Sequence, residues 1–158
     1  MLYVLLALLP GIGAMLWFFG WGVVTNLVFA SVFAIGFEAL ALKLRQRPIQ
    51  PFLTDYSVVV TAWLLALAVP PFAPWWLIAV GMLFAVGIAK HLYGGIGYNP
   101  FNPAMIGYAA LLISYPLAMT TWPTPVAGFG AVDLGTALSK VWGNTVINWD
   151  AYTGATAL

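Results

Sequence analysis

Thirty-seven residues pass before the first charged side chain, Glu38. A chain that travels so far without a charge is constrained first by its solvent. A membrane-spanning helix needs roughly 20 mainly apolar residues, and several uncharged or nearly uncharged runs of about that length lie along this sequence. Five Lys/Arg, four Asp/Glu and one His cannot clothe a water-soluble particle of 158 residues, 63% of them apolar. Soluble domains carry about 25% charged residues. The chain is therefore not an ordinary cytosolic enzyme or a disordered segment. With a formal net charge of +1, it is not a strongly basic nucleic-acid binder either, and no nucleic-acid partner is expected. Its main surroundings are the lipid bilayer.

Only helices and closed barrels satisfy their own backbone amides in lipid. The apolar runs are too long and too unalternating for barrel strands. The sequence reads as an all-α, multi-pass membrane protein with about five transmembrane segments, residues 2–19, 22–42, 56–72, 75–93 and 103–119. The third is short and stops at Pro70-Pro71, so it reads as broken or re-entrant, with a tilted ordinary helix as the alternative. The fifth is interrupted by Pro116. Residues 1–119 make the bundle. Residues 120–158, rich in Pro, Gly, Thr and Asn, read as a loop-like segment outside the hydrocarbon.

Lys43, Arg45 and Arg47 follow the second segment and Lys90 ends the fourth. Counting crossings puts both places on one side, which the excess of Lys/Arg marks as cytoplasmic. The amino terminus is then cytoplasmic and the stretch after Met119 lies outside. Met1–Ala14 lacks the basic start of a signal peptide and is read as a retained helix. Trp17, Trp21, Trp75, Trp76 and Trp122 fall at segment ends, where headgroups suit their rings. Glu38 has Leu42 rather than a cation four residues on, so it is expected to pair loosely with Lys43 or Arg45. Lys90 and His91 are expected to snorkel to the interface. With no cysteines and one histidine, neither a thiolate metal site nor an iron–sulfur cluster is expected, and no metal is assigned.

Two stretches carry more than hydrophobic filling. Thr54 or Asp55 can cap the start of the third segment. Gly94-Gly95-Ile96-Gly97-Tyr98-Asn99-Pro100-Phe101-Asn102-Pro103-Ala104 combines three glycines, which permit tight turns, with two Asn-Pro steps. Asn102 can cap the fifth segment while Pro103 takes the first helical position, where a missing N–H costs nothing. No strand precedes the glycines, and their spacing does not match a dinucleotide-binding loop. Asn102-Pro103-Ala104 also spells the tripeptide found at half-helix tips of water channels, which use it twice. Near the carboxyl end stands Asp150-Ala151-Tyr152-Thr153-Gly154-Ala155-Thr156. Threonine hydroxyls are poor nucleophiles unaided and no His lies near in sequence, so a self-contained hydrolase is not expected. A threonine behind a small Gly-Ala pair suits access by a separate modifying enzyme.

Together these residues resemble the RnfD/NqrB family, the membrane subunits of redox-driven ion pumps, and more closely the RnfD type within it. The glycine/asparagine-proline string with Met105-Ile106-Gly107-Tyr108 looks like the family signature, Gly94, Gly95, Gly97, Asn99, Pro100, Asn102 and Pro103 being its fixed points. The likeness continues through Leu111–Pro116 and through Pro70-Pro71 with Ala73-Pro74-Trp75-Trp76. Asp150-x-x-Thr153-Gly154-Ala155-Thr156 is similar to the recognition motif of flavin transferases. The resemblance implies covalent FMN joined through its phosphate to Thr156, with Asp150, Thr153, Gly154 and Ala155 as recognition residues and no catalytic residue in this chain. It leaves room for a second, non-covalent flavin. It further implies electron transfer between ferredoxin and NAD through other subunits, coupled to Na⁺ or H⁺ movement across the bacterial inner membrane, with the carboxyl-terminal segment periplasmic. Partners would be the other subunits of an Rnf-type complex and a flavin transferase.

Family members are longer, built from two halves related as an inverted repeat, and this chain looks like the amino-terminal half. Ala151 stands where the motif commonly has Gly, and Tyr56 and Trp63 are bulkier than usual there. Two other function classes stay open on the residues. One is a small channel, resting on Asn102-Pro103-Ala104. The other is a structural subunit packing its neighbours through Gly81, Gly87 and Gly107.

Overall fold

The computed structural model describes residues 1–92, 101–128, 133–143 and, as backbone, 153–154. Two long apolar helices open the chain, α1 (Leu2–Phe19) and α2 (Gly22–Leu44), followed by a single turn, α3 (Ile49–Leu53). Then come α4 (Ser57–Ala68) and α5 (Trp75–Met82), which runs on without a break into a π-helix (Leu83–Leu92). Beyond the second described boundary lie α6 (Pro103–Ser114), α7 (Pro116–Thr120), β1 (Trp122–Pro123), α8 (Leu134–Val141) and β2 (Thr153–Gly154). The protein is an all-α, multi-pass membrane protein. Three helical stretches, Leu2–Phe19, Gly22–Leu44 and Trp75–Leu92, are individually long and apolar enough to cross.

The other two apolar helices, α4 and α6, have 12 residues each. At 1.5 Å per residue they reach only about 18 Å, short of a hydrocarbon core of about 30 Å. Proline stops both. After α4 the chain meets Pro70-Pro71, which lack N–H groups and cannot continue the ladder. The carbonyls left there are met from another helix: buried Asn26 of α2 donates its Nδ2–H to the Pro70 oxygen at 2.9 Å and the Val69 oxygen at 3.4 Å. α6 ends at Ser114, with Tyr115 as its cap directly before Pro116. The third segment is thus the broken helix that the sequence suggests. Its start is capped by Asp55, whose Oδ1 accepts the Ser57 N–H at 2.7 Å, while the Thr54 hydroxyl turns back to the carbonyls of Gln50 and Pro51.

The core lies between α2, α4, α5, the π-helix and α6, around Ala30, Ala34, Val58, Ala62, Leu65, Leu77, Met82, Ala85 and Leu111. Small side chains let helix axes come close where interhelical attraction is packing rather than expulsion of water. One such close approach joins α5 and α6: a Cβ on Gly107 would stand 2.6 Å from the Gly81 carbonyl oxygen and 3.1 Å from the Ala85 Cβ. Gly81 and Gly107 are therefore consumed inside the chain, not offered to a neighbouring subunit. Gly22 is as constrained, since its Cβ would collide with the Pro71 carbonyl oxygen. Gly107→Ala must push two backbones apart and is expected to cost about 1–3 kcal/mol. Thermal unfolding of the full-length variant in nanodiscs checks this, and Gly11→Ala, with open space around its Cβ, is the matched control.

The helices alternate between two ends of the bundle. One end gathers the close of α2, the start of α4 and the close of the π-helix, where the Arg45 Nη1–H donates to the His91 carbonyl at 2.9 Å. The other gathers Phe19, Val23 and Trp122, with Phe19 and Trp122 meeting edge to face at 5.7 Å. Trp122 is 4% exposed, so it seals a helix junction instead of facing headgroups. The stretch after Met119, expected to be loop-like, includes α8. Asp133 caps that helix, accepting from the Gly135 N–H and the Thr136 hydroxyl, and the Thr136 hydrogen bond holds its carboxyl below the usual range. Trp142 docks α8 on the bundle by packing against Phe29 and Trp75. Lys140 sits 4.4 Å over the Phe72 ring, and burial lowers its ammonium pKa.

Candidate functional site

A charge inside a membrane bundle costs free energy unless it is paired, so buried ionisable groups mark candidate sites. The bundle holds one such cluster among the described residues. Glu38, fully buried on α2, has both carboxylate oxygens engaged. The Lys90 ammonium donates to Oε1 at 2.8 Å, and His91 Nε2 lies 2.9 Å from Oε2. Lys90 also donates to the Ser57 hydroxyl at 3.0 Å, tying in the first turn of α4. Three elements far apart in sequence thus meet at the Lys90 ammonium.

The π-helix explains how two consecutive residues reach the same acid. On an α-helix, neighbours point about 100° apart and do not face a common partner. A π-helix closes its hydrogen bonds one residue later, with more residues in each turn and a smaller angle between neighbours. Lys90 and His91 are its antepenultimate and penultimate residues. Side-chain exposure rises along the cluster, from 0% at Glu38 to 6% at Lys90 and 12% at His91.

This overturns two expectations. Glu38 pairs with Lys90 and His91 and not with Lys43 or Arg45, because its position on α2 faces the core, with Ala34 and Leu42 one turn either side, whereas Lys43 is on the exposed face of the same helix and Arg45 is its exposed cap. Lys90 and His91 do not snorkel to the interface, since a buried carboxylate holds them. Counting crossings puts the ends of the second and fourth segments on one side, and that shared depth is the signal in the sequence for the pairing. No group of three or more metal-ligating side chains occurs among the described residues.

At the same end, Asn102 accepts the Ala104 N–H at 3.0 Å and Pro103 opens α6, so this part of the asparagine-proline string starts a helix. Gly94, Gly95, Gly97, Asn99 and Pro100 lie outside the described residues, as do Asp150, Ala155 and Thr156. Thr153 and Gly154 are described as backbone: they form β2, antiparallel to β1, with Trp122 opposite Gly154 and Pro123 opposite Thr153. That pairing ties the last described residues of the threonine motif to the bundle end opposite Glu38.

The NQR2, RnfD, RnfE family matches residues 1–158. The chain belongs to this family. Among its relatives, a protein of Ectopseudomonas mendocina, named as the D-type subunit of an ion-translocating oxidoreductase complex, is 58% identical over 133 residues, 84% of this chain and 38% of the relative. Proteins of the same name from Vibrio atlanticus and Escherichia fergusonii are 55% identical over 127 residues and 57% over 125. These cover 80% and 79% of this chain, and 36% of each relative. The chain spans little more than a third of the length of the curated relatives it matches.

Proposed function

We propose that this chain is the FMN-carrying part of a membrane subunit in a redox-driven ion-translocating complex. It passes electrons between ferredoxin and NAD by way of other subunits, coupled to movement of Na⁺ or H⁺, and has no catalytic residue of its own. The observation that carries this reading is the company of two features: family membership along the whole chain, and the string Asp150-x-x-Thr153-Gly154-Ala155-Thr156 near its end. The β1–β2 pair supports it by anchoring the backbone of that string next to the bundle, two residues short of Thr156.

The residues suit the group. Thr156 supplies the hydroxyl oxygen that a phosphoester needs, and the Gly154-Ala155 pair before it leaves room for a transferase. The flavin, when attached, supplies the electron-accepting chemistry, and the protein supplies tether and surroundings. Tethering keeps the cofactor at high local concentration beside its donor and acceptor. Thr153 and Gly154 pair with β1 at the end opposite the Lys43–Arg47 cluster, which, with basic loops in the cytoplasm, supports a periplasmic motif and residence in the inner membrane.

The direct test is co-expression of the full-length subunit with a flavin transferase. A denaturing gel viewed under ultraviolet light, then mass spectrometry of the peptide containing Thr156, should show fluorescence and the added mass of FMN. A dark band alongside an active transferase control would overturn the flavin assignment.

A further inference from the structure

We propose that the basic turn closing α2, together with α3 beside it, is a docking surface for an anionic phospholipid. The phosphodiester meets Arg45 and Arg47 while the chains lie on Ile49 and Phe52. The inference does not depend on the flavin: a subunit without FMN would still present this surface.

The backbone of the turn is fixed. α2 ends at Leu44 with Arg45 as its cap. The Arg47 N–H then reaches back to the Leu42 carbonyl at 3.0 Å, and the Gln46 N–H to the Lys43 carbonyl at 3.1 Å. Those two bonds make a Schellman motif, with Gln46 at φ 53° in the left-handed position where glycine is usual. Pro48 follows and cannot resume the ladder. The fold therefore sets where Lys43, Arg45 and Arg47 leave the chain. Arg45 is held a second time, by the bond from Nη1–H to the His91 carbonyl, and a guanidinium has further N–H groups to offer an anion.

Charge balance asks for a partner from outside. All three cations are exposed, and among the described residues no carboxylate lies within ion-pair distance of them. Glu38 is taken by Lys90 and His91, Asp55 caps α4 and Asp133 caps α8. The fourth acid, Asp150, lies outside the described residues.

Depth and the neighbouring side chains select the kind of anion. The 23 residues of α2 measure about 35 Å, enough to cross a hydrocarbon core of about 30 Å, so the turn stands at headgroup level. α3 adds an apolar face beside it. Leu53 packs on the core, while Ile49 and Phe52, three residues apart and so on one face, are 38% and 37% exposed. Leu44, just before the turn, is more exposed still. A phospholipid carries phosphate and hydrocarbon in one molecule and matches both features. An acidic peptide would match the cations and leave the apolar face uncovered. Orienting the helices takes an excess of Lys/Arg and needs neither a fixed turn nor that face.

The test uses the full-length subunit in its complex, reconstituted in phosphatidylcholine vesicles that contain a trace of photoactivatable phosphatidylglycerol or, in parallel, photoactivatable phosphatidylcholine. After illumination, mass spectrometry reads the labelling of the peptide that contains Phe52. The glycerol lipid should be preferred in the wild type, and less so as salt is raised. Arg47→Gln should cut that preference about fivefold, the worth of one cation near an anionic lipid surface. Gln46→Val keeps all three cations but puts a β-branched residue where φ is positive, so it should also lower the preference, whereas Gln46→Gly should retain it. If Arg47→Gln does not insert, the Gln46 pair decides. Equal labelling by the two lipids would overturn the proposal, as would a preference that neither Arg47→Gln nor Gln46→Val lowers. A peptide that neither lipid labels, because an acidic segment of another subunit covers it, would overturn it too.

Discussion

Thr156→Ala is expected to abolish covalent flavin, leaving the denatured subunit dark where the wild type fluoresces. The effect should be all or none, because alanine has no oxygen with which to form a phosphoester. Weaker recognition, by contrast, only slows transfer. Thr156→Ser restores an oxygen without the methyl group and should recover part of the signal. Thr153→Val separates the two threonines: its backbone pairing with Pro123 survives, so it should lower the yield of flavin without reaching zero. Asp150→Asn should behave likewise, as it removes a charge that the transferase is proposed to read. In-gel fluorescence normalised to protein reads all four variants. Persistence of the flavin in Thr156→Ala would move the attachment point to another hydroxyl. A melting temperature of the full-length variant equal to that of the wild type would tie the loss to the missing hydroxyl. A melting temperature shifted in parallel with the fluorescence would indicate misfolding instead.

The membrane character and helical class were legible from the scarcity of charge, and so were the stops at Pro70-Pro71 and Pro116. Those signals are local: a proline lacks its N–H wherever the chain goes. The cap at Asn102 followed from the same kind of local chemistry. The partners of Glu38 lie 52 and 53 positions away, and the shared depth of the two segment ends is too coarse a signal to name them. Sequence spacing ranks Lys43 and Arg45 nearer to Glu38 than any residue of the fourth segment. What decides the matter is which helix meets the buried face of α2: Asn26, Ala30, Ala34 and Glu38, recurring every fourth residue, mark that face but do not name the partner it meets. The π-helix itself has no residue signature in Leu83–Leu92, and its smaller turn between neighbours helps Lys90 and His91 share one acid. α8 was hidden for the opposite reason. Its Asp133 cap and the anchors Lys140 and Trp142 were visible as single residues, but eight residues among prolines and glycines read as loop. Gly81 and Gly107 were recognised as a packing surface, and only the fold tells that α5 and α6 use it on each other.

Glu38→Ala is expected to be the most destabilising single change in the bundle. It leaves the Lys90 ammonium in a site where the Ser57 hydroxyl is its one remaining acceptor among the described residues. Removing one partner of a buried ion pair costs about 3–5 kcal/mol, mostly the penalty of the abandoned charge. Lys90 lies near the end of its helix and its flexible stem can swing toward the interface, which argues for the lower bound, about 3 kcal/mol. Lys90→Met should be milder although it breaks the same bond, because His91 remains on Oε2 and keeps the carboxylate hydrogen-bonded. The order Glu38→Ala worse than Lys90→Met is therefore a consequence of the three-membered cluster and would not hold for a simple pair. Glu38→Leu combined with Lys90→Leu removes both charges and should recover most of the loss, since apolar replacement of a buried pair is often neutral. Thermal unfolding of the full-length subunit in nanodiscs, with the two single variants and the double, measures these differences. If the singles cost the same, His91 does not compensate; if the double is as poor as Glu38→Ala, packing rather than an abandoned charge sets the cost.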